Sequence, residues 1–163
     1  MFHLYTMNIA SLAIVFVCGL ILWTILLFFA EKHKATRKTI KLFCGILSLI
    51  ALYGILFYSV LHRMPSDSHR LVFFAAYASD FWREMIMNGL LYIPFGMCFS
   101  VLIGPWSVLV ALILSVVIES WQYLAGTGLA QGTDVIMNTL GAAIGIIPYM
   151  VVKSLTGYHW THN

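Results

Sequence analysis

Three carboxylates, three amides and one guanidinium stand out in this chain because almost everything around them is apolar. Glu84, Asn88, Glu119, Gln122, Asp134 and Asn138, with Arg83 beside the first, lie in a sequence that is 61% hydrophobic and only 9% charged. Glu84 and Asn88 are four residues apart, as are Asp134 and Asn138, so each pair shares one helix face. Ser115, Glu119 and Gln122 form another polar stripe at i, i+4 and i+7. A charge at the centre of a membrane helix costs roughly 2.5–3.5 kcal/mol on insertion scales, so each such group needs a partner or a task.

Residues of these types could do four things. Carboxylates in so apolar a setting could act as general acid and base on a lipid-linked substrate. Carboxylates and amides together could hydrogen-bond a polar head group. Their oxygens could hold a divalent cation, but the spacing is not that of a metal motif, so no metal and no cofactor is expected. The plainest alternative is a clasp, in which Arg83 neutralises one acid, the amides satisfy the others and the network fixes helix register. No nucleophile is evident, because the six His residues fall in loops or at the termini. Cys18, Cys44 and Cys98 lie inside apolar runs and serve as small hydrophobes rather than as a zinc or disulfide set. No catalytic residue is assigned.

The elements that must position these side chains are membrane helices. A soluble domain carries about a quarter charged residues. This chain has a mean hydropathy of +0.93 and apolar runs that reach the roughly 20 residues needed to cross a bilayer. It is expected to form one all-α integral membrane domain over residues 1–163, a bundle of about five transmembrane helices. Segment one runs from about Met7 to Ala30, as a retained helix rather than a cleaved signal. A basic loop, Glu31–Lys41, holds five of the nine Lys and Arg residues. Segment two covers roughly Leu42 to Leu61. A loop from His62 to Glu84 follows, rich in Phe73, Phe74, Tyr77, Phe81 and Trp82, with Arg70–Trp82 expected to lie at the membrane interface.

Segment three spans about Arg83 to Ile103, with a kink expected at Pro94 and room for it at Gly96. Gly104-Pro105 closes a tight turn. Segment four runs from Trp106 to about Leu124, and a turn over Gly126–Thr133 leads to segment five, about Asp134 to Val152. Gly141 and Gly145 form a G-x-x-x-G stripe that permits close helix contact. Four spans result instead if segment three is re-entrant.

Short loops rich in Lys and Arg stay cytoplasmic. This rule puts the first loop and Lys153 inside and the N-terminus outside. The polar residues of segments three, four and five then converge near the outer face. The inner halves of those segments are almost wholly apolar, which argues against a pore. The net charge of +3 comes from one loop, and no interleaved basic and aromatic surface points to nucleic acid. The partner this composition implies is the lipid bilayer.

These residues also carry a resemblance. Arg83-Glu84-Met85-Ile86-x-Asn88, Ile93-Pro94-Phe95-Gly96, Glu119-x-x-Gln122 and Asp134-Val135-Ile136-x-Asn138-Thr139-x-Gly141-x-x-x-Gly145 together resemble the VanZ-like family, over roughly Trp82–Gly145 within a motif-bearing core of 82–152. The resemblance implies a small protein of the bacterial cytoplasmic membrane that lowers susceptibility to teicoplanin-type lipoglycopeptides. Because the polar and interfacial features share one face, the expected mode of action is interference at the outer leaflet, with the lipoglycopeptide or its lipid-linked cell-wall precursor as partner. The resemblance assigns no catalytic residue. Many relatives carry Asp and Arg where this chain has Gln131 and Gly128, which shifts the expectation from catalysis to binding. The alternatives are a membrane enzyme that modifies a lipid-linked envelope component and a helix-packing accessory subunit.

Overall fold

A computed structural model describes residues 9–31, 34–61, 68–73 and 81–157. In chain order these form α1 (Ile9–Glu31), α2 (Lys34–Leu56) with a π-helical turn at its end (Phe57–Leu61), β1 (Ser68–Val72), α3 (Phe81–Ile103), α4 (Trp106–Ala125), β2 (Thr127–Gln131), α5 (Gly132–Gly145) and α6 (Ile147–Thr156). Five helical stretches are long and apolar enough to cross a membrane: α1, α2 with its π turn, α3, α4, and α5 continued by α6. This is the architecture of a multi-pass membrane protein. Side chains such as Leu22, Leu49 and Trp106 are exposed, as bilayer-facing residues of a bundle should be.

The basic stretch read as a loop is mostly helix, since α2 begins at Lys34. Its Lys and Arg residues are strong helix formers, so the apolar run of segment two extends backwards into them. Segment five is two helices in sequence. Pro148 lies in the first turn of α6, where its missing N–H costs nothing, and Ile146 forms the junction.

Between the helices sits an element the sequence reading missed. Thr127–Gln131, expected as a turn, is a strand that pairs in parallel with Ser68–Val72, in register Ser68 to Thr127 through Val72 to Gln131. The segment expected to lie along the interface from Arg70 therefore starts as a strand and ends, at Phe81 and Trp82, inside α3. Phe74 and Tyr77 lie outside the described residues. Gly126 makes the corner possible. It ends α4 at φ 61°, in the left-handed region, and its N–H returns to the last turn of the helix.

The tightest packing is between α3 and α5. A Cβ on Gly141 would run into the backbone of Gly89, one on Gly96 into Ala142, and one on Gly145 into Ile93 and Met97. Two helices thus meet backbone to backbone through glycines on both, as small-residue membrane interfaces allow. Gly96, read from the sequence as room for a bend at Pro94, gives its room to α5.

At one end of the bundle Trp23, Leu27, Ala30, Ile40, Cys44, Cys98, Val101, Tyr149 and Val152 form a core cluster. It joins the end of α1 and the start of α2 to α6. The basic segment and Lys153 therefore share one end of the molecule. The strands, the end of α2, the start of α3, the end of α4 and the start of α5 share the other.

Candidate functional site

The polar end is built by four helices and the small sheet. On α4 the stripe read from the sequence is buried throughout: Ser115, Glu119 and Gln122 all face inward. On α5 the inward face carries Thr133, Asp134 and Asn138, with Gly141 and Gly145 continuing it. Both stripes are inward because their i, i+4 spacing matches the helical period that the surrounding apolar residues follow.

Three hydrogen bonds show how these side chains are used. The Asn138 Nδ2 donates to the Ser115 hydroxyl at 2.8 Å, joining α5 to α4. The Gln122 Nε2 donates to the Ser59 carbonyl oxygen at 2.9 Å. Ser59 lies in the π-helical turn at the end of α2, so this bond ties α4 to the second span. The Glu119 Oε2 accepts from the backbone N–H of Gln131 at 2.7 Å, joining α4 to the end of β2. The ladder is prolonged past the strands by the Thr133 N–H, which donates to the Phe73 carbonyl at 3.2 Å, while the Phe73 ring lies over Gly132 where any side chain would collide with it.

The buried centre also contains polar atoms without partners. The Tyr92 hydroxyl lies near Ser115 and within electrostatic reach of Glu119 but makes no hydrogen bond of good geometry, and the Asn138 Oδ1 and Thr133 Oγ1 are likewise unsatisfied. Tyr92 is only 1% exposed. Buried polar atoms are normally paired, and an unpaired one costs about 1–3 kcal/mol.

The seven polar residues singled out by sequence do not all enter this centre. Glu119, Gln122, Asp134 and Asn138 are buried. Arg83 and Asn88 are half-buried on the first two turns of α3, and Glu84 is exposed. Sequence reasoning passed over Ser59, Tyr92, Thr133 and Gly89. Tyr92 follows Asn88 by four residues and Gly89 precedes Gly96 by seven, so helical spacing could have placed both on faces already marked. Ser59 contributes only a main-chain carbonyl, which carries no sequence signal. Among the described residues no three His, Cys, Asp or Glu side chains gather as metal ligands would.

Beside Glu119 the surface opens into a groove of about 530 Å³. Its lining includes Glu119, Ser120, Tyr123 and Gln131 together with Leu71, Val116, Leu124 and Val135. The groove is mainly apolar, with a buried carboxylate among the residues that line it.

Comparison with known proteins places this geometry in context. The family model described as VanZ/LLP1 matches residues 15–153. Protein VanZ of Enterococcus faecium is 36% identical over 76 residues, which is 44% of this chain and 47% of the relative. The alignment thus spans about half of that protein's length. No solved structure matches the chain.

Proposed function

The chain belongs to the VanZ/LLP1 family, and from that membership together with the polar end of the bundle we propose that it lowers susceptibility to teicoplanin-type lipoglycopeptide antibiotics. The site is the groove beside Glu119, backed by Gln122, Asp134 and Asn138. It engages the drug, or the lipid-linked cell-wall precursor the drug seeks, at the outer leaflet of the cytoplasmic membrane. The observation that carries this reading is the groove itself, a mainly apolar surface with a buried carboxylate in its lining. Such a surface suits a molecule with a polar head and a lipid tail. The proposed orientation has the N-terminus outside and the C-terminus inside. It follows from the basic segment and Lys153 sharing the end opposite the groove.

The test is drug-susceptibility measurement of cells carrying the wild type, Glu119→Gln or Asp134→Asn at equal expression. Loss of protection in both variants supports the site. Full protection by both, with normal membrane levels, overturns it.

One observation favours a second reading. The buried Tyr92 hydroxyl has no hydrogen-bond partner and lies within electrostatic reach of Glu119, and a hydroxyl and a carboxylate in one buried region could serve proton transfer in a membrane enzyme acting on a lipid-linked envelope component. Mass spectrometry of envelope lipids with and without the protein tests this, and an unchanged lipid profile overturns it.

A further inference from the structure

Three helices meet around Tyr92, Ser115 and Asn138. Tyr92 of α3 belongs to a core cluster with Ala111 and Ile118 of α4 and Ala142 of α5. Ser115 lies between Ala111 and Ile118 on the same buried face of α4, and Asn138 lies one turn before Ala142 on the buried face of α5. The backbone sets the level. A helical side chain leans toward the N-terminus of its helix, so the Tyr92 phenol points from its own turn toward that of Gly89. A Cβ on Gly89 would stand 3.3 Å from the carbonyl oxygen of Met137, the residue before Asn138. Tyr92 and Asn138 also share a neighbour, since Tyr92 lies near Ser115 and the Ser115 hydroxyl accepts from the Asn138 Nδ2.

Two complementary atoms are left over at this junction. The Tyr92 hydroxyl has a proton to donate, the Asn138 Oδ1 can only accept, and both are buried without a hydrogen-bond partner. Tyr92 is 1% exposed and Asn138 7%, so bulk water does not serve them, and lipid offers no hydrogen bond in its place. Ala111, Ser115 and Ala142 are small side chains, so a guest among them is small too. A buried water molecule typically bridges about two to four polar groups that otherwise go unpaired. We propose that this junction binds one water molecule, which accepts from the Tyr92 hydroxyl and donates to the Asn138 Oδ1. Ser115 sets where Asn138 stands and needs no bond to the water. The site is separate from the groove beside Glu119, whose Val116 and Ser120 are exposed on another face of α4. It ties α3 to α5 one helical turn below Glu119 and Asp134.

The experiment uses the full chain in two measurements. The first is a crystal structure at a resolution that shows ordered water. The expected result is one peak the size of a water within hydrogen-bond distance of both the Tyr92 hydroxyl and the Asn138 Oδ1. The second is thermal unfolding in detergent of Tyr92→Phe, which removes the hydroxyl and keeps the ring. A bridged hydroxyl predicts a melting temperature about 2–4 °C below the wild type, the shift that loss of one ordinary hydrogen bond produces in a chain of this size. An orphaned hydroxyl predicts no loss or a gain, because its removal relieves a buried unpaired group. Melting of Tyr92→Phe at or above the wild-type temperature overturns the proposal. So does a structure in which the Tyr92 hydroxyl bonds Asn138 directly, or in which no water lies between them.

Discussion

The Glu119 carboxylate on α4 accepts a 2.7 Å hydrogen bond from the backbone N–H of Gln131, the residue that caps the start of α5. In a capping box that N–H is closed by a side chain three residues into the same helix. Here the third position is Asp134, and the closing carboxylate comes from another helix. Glu119 therefore does two things at once. It fixes the start of α5 against α4, and it is among the residues that line the groove.

These two roles separate on mutation. Glu119→Ala leaves the Gln131 N–H without its acceptor, and we expect a loss of about 1–3 kcal/mol. Glu119→Gln keeps an acceptor oxygen, and we expect less than about 1 kcal/mol of loss. Thermal unfolding in detergent measures both. If protection against the drug falls in Glu119→Gln while stability holds, the charge serves the ligand rather than the fold.

The α3–α5 contact makes a sharper stability prediction. Gly141→Ala drives a methyl group into the Gly89 backbone, and Gly145→Ala drives one into Ile93. Neither obstacle is the flexible end of a side chain, so the helices must separate. Overpacking of this kind costs about 1–3 kcal/mol. Gly54→Ala is the control: its Cβ meets nothing within 4 Å, and the gain in helix preference should leave it neutral or stabilised by about 0.5–1 kcal/mol. Melting temperatures of the three variants check the ordering.

What the sequence disclosed, and what it hid, follows from where the information lies. The helical spans and the inward stripes Ser115-Glu119-Gln122 and Asp134-Asn138-Gly141-Gly145 were legible because side-chain type repeats at the helical period. The pairing of Ser68–Val72 with Thr127–Gln131 was not. Each strand is five residues long, and their partnership is a main-chain matter between segments some sixty residues apart. Gly126 and Gly128 made the second strand look like a turn. The partners of Glu119 and Gln122 escaped for the same reason, since both are backbone groups, the Gln131 N–H and the Ser59 carbonyl. Gln131 was singled out for the carboxylate it lacks, yet its contribution to the site is an N–H that any residue but proline would supply.

The bond between Asn138 and Ser115 allows a direct measurement of what a buried polar contact contributes in this bundle. It joins α5 to α4 at 2.8 Å with both residues buried. A double-mutant cycle with Asn138→Ala, Ser115→Ala and the pair should give a coupling of about 0.6 kcal/mol, and no more than about 1.7, the range found for such bonds between membrane helices. A larger coupling would mean that the unsatisfied Asn138 Oδ1 and Tyr92 hydroxyl are bridged by a bound molecule that the pair holds jointly.

The proposed orientation can be tested at two exposed serines at opposite ends of the bundle. Ser120 lies on α4 beside the groove, and Ser154 lies near the end of α6, close to Lys153. In a background with Cys18, Cys44 and Cys98 changed to Ala, Ser120→Cys should react with a membrane-impermeant maleimide on intact cells. Ser154→Cys should react only after the cells are opened. The reasoning is electrostatic, because short segments rich in Lys and Arg favour the cytoplasmic side and the α1–α2 segment holds five of them. The reverse labelling pattern would put the groove beside Glu119 in the cytoplasm. A drug acting outside the cell could then not reach it, and the proposed outer-leaflet mode of action would fail along with the topology.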